Sequence, residues 1–286
     1  MTVVDAHQHL WDPENGEYDW LSPEYGPIFR TFTPEELEPQ LQRAGVDATV
    51  LVQAADTLAD TESMLAVADR VDWVAGVVGW VPLADPAARD AALERFTAHP
   101  AFRGVRHLIH EDPDPDWLLR ASVQDGLGAL AARELTFDVV AVLPRHLEHV
   151  PVLARAFPEL RIVVDHLAKP PIKDRGWKPW ADLLAAAARH PNVYAKLSGL
   201  NTAADPERWT ATDLEPYIDH ALACFGAERV MFGGDWPVAI LAGDYQKVWD
   251  ETNRAIAGLS NDERAAILGG TAVAFYGLHD HVGAGF

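Results

Sequence analysis

Eight short apolar runs, each followed by a stretch long enough for a helix, constrain this chain more than any other feature. They are Val3–His9, Ala48–Gln53, Val74–Trp80, Phe102–His107, Thr136–Val140, Arg161–His166, Val193–Ser198 and Val230–Asp235. Runs of this length are strand-like, and the spacing between them leaves room for crossover helices. Helix starts are marked in between. Thr33-Pro34-Glu35-Glu36 places a cap, a proline and acidic residues in order, and Asp85-Pro86 repeats the cap and proline before Ala87–Phe96. Ser260–Leu268 reads as a late helix, with Glu263 three residues after the Ser260 cap. Eight βα units in one chain imply an α/β fold, a distorted (β/α)8 TIM barrel, as a single domain over residues 1–286. A doubly wound sheet is the competing arrangement. The first loop, Leu10–Phe32, is unusually long and holds Trp11, Tyr18, Trp20, Tyr25 and Phe29. In a barrel it leaves the C-terminal face, where it either covers a substrate or packs over the rim.

Composition narrows the partners. The formal net charge is -20, from 43 acidic and 23 basic residues. A phosphate backbone needs a basic surface, so nucleic acid is an unsuitable partner. The excess acid reads as a solvated shell rather than as a sign of a cationic substrate. The one cysteine, Cys224, excludes an internal disulfide framework and a cysteine-based zinc site. It falls in an apolar-faced segment and is expected to be buried. No run reaches membrane-spanning length, and no basic-then-apolar leader is visible, so the expected setting is the cytoplasm. Oligomeric state stays open, with a homodimer among the options.

Chemistry concentrates at the strand ends. His7 and His9 stand at i and i+2 on the first strand, so both imidazoles point the same way. His166 ends the sixth strand and Asp235 the eighth. Ends of barrel strands converge on one mouth, so these four can form one cluster. Taken singly, His166 reads equally as a hydrogen-bonded structural residue and Asp235 as a helix cap. Together they can hold a divalent ion, which lowers the pKa of a bound water. Asp235 would then take the proton of that water as it attacks a carbonyl. Arg106 is the nearer of two strand-four arginines to the mouth, and its fork suits a carboxylate, carbonyl or hydroxyl. Strand parity sets Arg106 and Gly104 on one face and Arg103 and His107 on the other, so Arg103 and His107 remain rival substrate contacts. Lys196 lies inside the seventh strand, where burial requires a partner. His110, His146, His149 and His220 fall outside the convergent set.

Five segments carry a resemblance. They are Asp5-Ala6-His7-Gln8-His9-Leu10-Trp11, Phe102–His107, Val164-Asp165-His166-Leu167-Ala168-Lys169-Pro170, Lys196–Leu200 and Met231-Phe232-Gly233-Gly234-Asp235-Trp236-Pro237. In this order they resemble the amidohydrolase superfamily in its amidohydrolase 2 branch, nearest to sugar-lactone hydrolases. The resemblance implies His7 and His9 as a metal pair, His166 as a further ligand and Asp235 as ligand and acid-base. It implies a small lactone as substrate and one divalent ion, zinc, with no lysine-bridged second metal, because strand four has no lysine and the fifth strand offers Asp138 and no histidine. A metal-free route also occurs in the branch. In it His166 and Arg106 would polarise the carbonyl while Asp235 activates water. Lys169 either binds a polar ring substituent or makes a structural ion pair. Trp236, and Trp11 in the first loop, are expected to shape the pocket. Carboxylated or sulfonated lactone hydrolysis, non-oxidative decarboxylation and an inert binding barrel are the alternatives.

Overall fold

A computed structural model describes residues 2–279. The strands are β1 (Val4–Gln8), β2 (Ala48–Val52), β3 (Val74–Gly79), β4 (Phe102–His107), β5 (Thr136–Val139), β6 (Arg161–Val164), β7 (Val193–Leu197) and β8 (Val230–Phe232). They form one parallel sheet in the order β1 to β8, with each strand paired to the next. The first and last edges meet beyond β8. There His9 N donates to Trp236 O at 2.8 Å and Asp235 N donates to His7 O at 2.8 Å. The sheet is thus a nearly closed, distorted barrel. The competing open sheet is excluded by this contact between its edges.

Helices follow the strands around the outside: α1 (Pro34–Ala44), α2 (Leu58–Ala68), α3 (Pro86–Thr97), α4 (Ala121–Ala131), α5 (Pro144–Ala156), α6 (Trp180–Ala188), α7 (Ala211–Phe225) and α8 (Tyr245–Ala255). Their apolar faces share a continuous core with the strands' outer side chains. The proline starts behave as the sequence suggests. Asp85 accepts from Ala87 N and Ala88 N at 3.1 Å each, whereas Thr33 makes no side-chain cap bond. No helix among the described residues is long and apolar enough to cross a membrane.

The late helix differs from expectation. It breaks into α9 (Asn261–Ala265), a π-helical turn at Ala266–Gly270 and α10 (Thr271–Tyr276). The widened turn lets Gly269 pass directly against the Thr2 carbonyl, where any side chain would collide. Val273, Phe275, Tyr276 and Leu278 then pack with Val4, Val50, Val78 and Met231 as a separate apolar cluster.

Asp5 fastens the seam of the barrel. Its buried carboxylate accepts from Gly234 N at 2.9 Å, His7 N at 3.0 Å, the Tyr245 hydroxyl at 2.7 Å and the Gln8 amide. Burial raises its pKa to about 6, against the lowering effect of those four bonds. The first loop folds back over the rim. Trp11 and Phe32 pair antiparallel at its two ends, and Trp20 Nε1 donates to Ala54 O at 2.6 Å.

Candidate active site

His7, His9, His166 and Asp235 meet at the C-terminal mouth of the barrel. His7 and His9 share one face of the β1 end, with their Nε2 atoms 3.1 Å apart. His9 Nδ1 lies 2.7 Å from the Val52 carbonyl, which fixes the proton there and leaves Nε2 as a lone pair. Asp235 Oδ1 is 3.4 Å from His9 Nε2 and 3.7 Å from His7 Nε2. Its Oδ2 is buried without a hydrogen-bond partner, 4.0 Å from His166 Nδ1.

Neither His166 nor Asp235 sits on a strand. β6 ends at Val164, and His166, Leu167, Ala168 and Lys169 all adopt left-handed φ angles of 54°, 50°, 59° and 50°. Asp235, three residues past β8, has φ 52°. Such a conformation costs a non-glycine residue about 1–2 kcal/mol. Burial of Leu167, fully enclosed, offsets about 1.5–3 kcal/mol of the turn's total. Lys169 N donates back to His166 O at 2.9 Å, and Trp180 Nε1 donates to Leu167 O at 2.6 Å. The strain turns two side chains inward that a continued strand would carry past the mouth.

The protonation states suit a cation. Burial drives the His7 imidazole well below its ordinary pKa and the His166 imidazole down to about 3, so both are neutral donors at pH 7. Burial pushes the Asp235 carboxyl up. The surrounding His166, His9, Lys169 and His7 outweigh that and hold it below the usual carboxylate range. Ligand atoms of His7, His166 and Asp235 all lie within 4.8 Å of one another. Two neutral imidazoles and one ionised carboxylate with an orphaned oxygen form a divalent-metal site with donors suited to zinc. His9 stands against the same cluster.

Beneath the cluster lies a charge network inside the barrel. Lys196 Nζ is 2.6 Å from Asp138 Oδ2, 3.1 Å from Asp165 Oδ1 and 3.0 Å from His7 Nδ1. Arg106 Nη1 donates to Asp165 Oδ2 at 3.2 Å, and the Tyr276 hydroxyl donates to Asp138 Oδ2 at 2.7 Å. Two buried cations thus balance two buried carboxylates, and Lys196 has the partners its burial requires. Arg106 Nη2 also donates to the Gln53 carbonyl, so the terminal fork belongs to the protein and only Nε–H lacks a partner.

Above the cluster a cavity of about 210 Å³ opens. Its lining combines polar side chains, among them Arg106, His166, Lys169 and Asp235, with apolar ones such as Trp11 and Val238. Lys169 Nζ donates to Thr202 Oγ1 at 3.0 Å and Gly199 O at 3.3 Å, leaving a third hydrogen for a ligand. A second recess of about 290 Å³ lies between the first loop and α2 and includes none of the four clustered residues.

Three expected substrate contacts lie elsewhere. Arg103 sits three residues before Arg106, and a Cβ on Gly76 would meet its Cγ at 3.1 Å and Leu278 at 3.2 Å, beside the α10 end of the chain. Three residues of strand carry it about 10 Å from the Arg106 level. His107 faces outward, its ring stacked on Trp117 at 3.9 Å with Nδ1 accepting from Trp80 Nε1 at 2.9 Å. Trp236 is buried edge-on to Phe32 at 5.1 Å and serves the seam rather than the cavity. Conversely, His110, which the sequence places outside the convergent set, lines the cavity together with Glu111, which the sequence does not single out. Their place just after β4, on the barrel's active face, was the available signal. Cys224, expected to be buried, is half-buried on α7 with its Sγ 3.7 Å from His220 Nε2.

The chain belongs to the amidohydrolase family, whose sequence pattern matches residues 4–278. Its place is in the amidohydrolase 2 branch. Among its relatives, the L-fucono-1,5-lactonase of Burkholderia ambifaria is 41% identical over 280 residues, covering 96% of this chain and 94% of that one. The L-fucono-1,5-lactonase of Burkholderia multivorans is 35% identical over 291 residues, covering 96% of each. A crystal structure of a Burkholderia multivorans amidohydrolase with bound zinc superposes with a TM-score of 0.90. It is 32% identical and covers 98% of this chain and 100% of that one.

Proposed function

We propose that this protein is a metal-dependent lactonase that hydrolyses a sugar-acid lactone, an aldonolactone, to the free acid. The observation that carries the reading is Asp235 Oδ2, a buried, ionised, unpartnered oxygen facing a cavity rimmed by neutral imidazoles. The relationship to two L-fucono-1,5-lactonases supports the substrate class. A divalent ion held by His7, His166 and Asp235, with His9 beside it, supplies Lewis acidity and an acidified water.

The chain's own groups do the rest. Asp235 Oδ2 accepts a proton from the attacking water and returns it to the ring oxygen as the ester bond opens. The free Lys169 N–H is the donor that holds the lactone's oxygens, with the Arg106 charge close by, and the carbonyl oxygen gains charge beside them as water adds. Trp11, Trp20 and Tyr25 close the cavity against bulk water on the first-loop side. About 210 Å³ suits one small ring. The cavity's cations are Arg106, committed to Asp165, and Lys169, which favours a neutral sugar lactone over a multiply charged one. A cytoplasmic setting fits a chain whose single cysteine is unpaired, and the strongly acidic composition fits a small-molecule partner rather than nucleic acid.

The test is hydrolysis of a panel of aldonolactones and carboxylated lactones by the zinc-loaded protein, followed with a pH indicator. The proposal expects saturable acid release from an aldonolactone without carbon dioxide. Turnover confined to carboxylated lactones, or release of carbon dioxide, would replace it.

A further inference from the structure

The His166–Lys169 turn presents two cavity side chains from a backbone that four non-glycine residues rarely share. One side chain outside the turn bonds to its middle. Trp180, the first residue of α6, is buried, and its indole N–H donates to the Leu167 carbonyl at 2.6 Å. Leu167 lies directly after His166 and two residues before Lys169. The indole is itself held. Trp177, Tyr217 and His220 surround it with ring centroids 5.4, 5.3 and 5.3 Å away. The Tyr217 hydroxyl donates to Gly176 O at 3.0 Å, which ties α7 to the segment leading into α6. A chain of contacts therefore runs from α7, through Trp180, to the turn that aims His166 at Asp235.

We propose that Trp180 is a positioning residue for the metal centre, acting through its N–H on the Leu167 carbonyl. The surrounding rings fix where the indole lies, but packing alone does not specify the direction of a carbonyl. With the N–H in place, the peptide after Leu167 cannot rotate without leaving a buried acceptor unpaired. Without it, the turn's backbone keeps only the Lys169 N–H to His166 O bond and the His166 ring its 2.8 Å contact with Ser198 Oγ, a weaker hold on the direction in which His166 and Lys169 point. Groups that orient ligands in this way alter metal affinity by about 10–100-fold when lost. The inference rests on the metal-centre reading above, and its main readout is independent of the substrate.

Two variants test it. Trp180→Phe removes the N–H and part of the ring, whereas β-(3-benzothienyl)alanine placed at position 180 keeps the bicyclic shape and removes only the N–H. Zinc dissociation constants are measured by chelator competition, unfolding midpoints on the metal-free proteins, and kcat and KM on an aldonolactone. The expected result for the benzothienyl protein is zinc binding weakened by about 10-fold or more, with the metal-free midpoint close to native and kcat reduced. Zinc affinity within twofold of native would overturn the proposal. A metal-free midpoint that falls in step with affinity would also overturn it, by showing a structural role. If the native protein binds zinc but hydrolyses no lactone, the function assigned above fails and the zinc measurements still decide the role of Trp180.

Discussion

Lys196→Met tests whether the buried charges in the barrel balance as their distances indicate. Methionine matches the length of the lysine stem and removes the ammonium. Asp165 keeps Arg106, but Asp138 is left with the Tyr276 hydroxyl alone. In the native protein burial raises the Asp138 pKa to about 6 from an ordinary 3.8, with Lys196 as the largest opposing influence. Without Lys196 the pKa climbs further, and the folded variant holds a proton at neutral pH that the unfolded chain has released. Removing one partner from a buried pair costs about 3–5 kcal/mol. The pH dependence carries the sign. A carboxyl whose folded pKa is raised leaves stability intact below its unfolded pKa and erodes it as pH rises to the folded value. The native protein stops losing stability from this group near pH 6; the variant continues. The gap between them should therefore widen by about 1.4 kcal/mol per pH unit above about pH 6. It should stay flat below that. Urea unfolding of both proteins, metal-free, at about pH 5.5, 7 and 8 measures it. A gap below about 1 kcal/mol at pH 7, or one that does not grow with pH, would refute the charge balance.

Three further perturbations probe the site. Asp235→Asn should retain the fold and lose about 10²–10⁴-fold in kcat, read by lactone hydrolysis with zinc content measured alongside. Near-native turnover in a zinc-replete variant would move the base elsewhere. Gly199→Ala adds a methyl 2.5 Å from Asp235 Oδ2 and 2.8 Å from His166 Nδ1 at a φ of 56°. It should weaken zinc binding by titration and lower stability by about 1–3 kcal/mol. Arg106→Lys keeps the charge but cannot serve Asp165, Gln53 and the cavity at once. KM for the lactone should rise and the thermal midpoint should fall, and an unchanged KM would remove Arg106 from substrate binding.

The strands were legible because their chemistry is local. Apolar runs between helix caps mark them, and the expected boundaries agree with the observed ones to within one residue except where the chain leaves extended geometry two or three residues early, after β6 and β8. Both early departures, at Asp165–Lys169 and Gly233–Asp235, fall in the functional site. No residue in His166-Leu167-Ala168-Lys169 announces a left-handed turn. The conformation depends on Trp180, which lies elsewhere in sequence, and on the burial of Leu167. The His7–His9 pair was legible from period two, which requires only the strand itself. Parity separated Arg106 from Arg103 and His107, but the inward face is set by neighbouring strands, and strand parity carries no information about them.

The interior charges show the same limit from the other direction. Asp138, Asp165 and Lys196 lie in or just after three different strands, and each alone reads as a polar residue in an apolar run. Only the pairing of β5, β6 and β7 as neighbours brings the two carboxylates within 3.1 Å of the Lys196 ammonium. That network also bears on the metal centre, because Lys196 and Asp165 both face His7 Nδ1, at 3.0 and 3.4 Å. With its Nδ1–H directed at Asp165 Oδ1, which Lys196 in turn holds at 3.1 Å, the neutral ring presents its Nε2 lone pair in one direction. The direction is toward His9 and Asp235. The charges that cost most to bury therefore lie where they orient the first metal ligand. Lys196→Met should on this argument weaken zinc binding even at pH 5.5, where its stability penalty is smallest. Native zinc affinity in that variant would separate the charge network from the site above it.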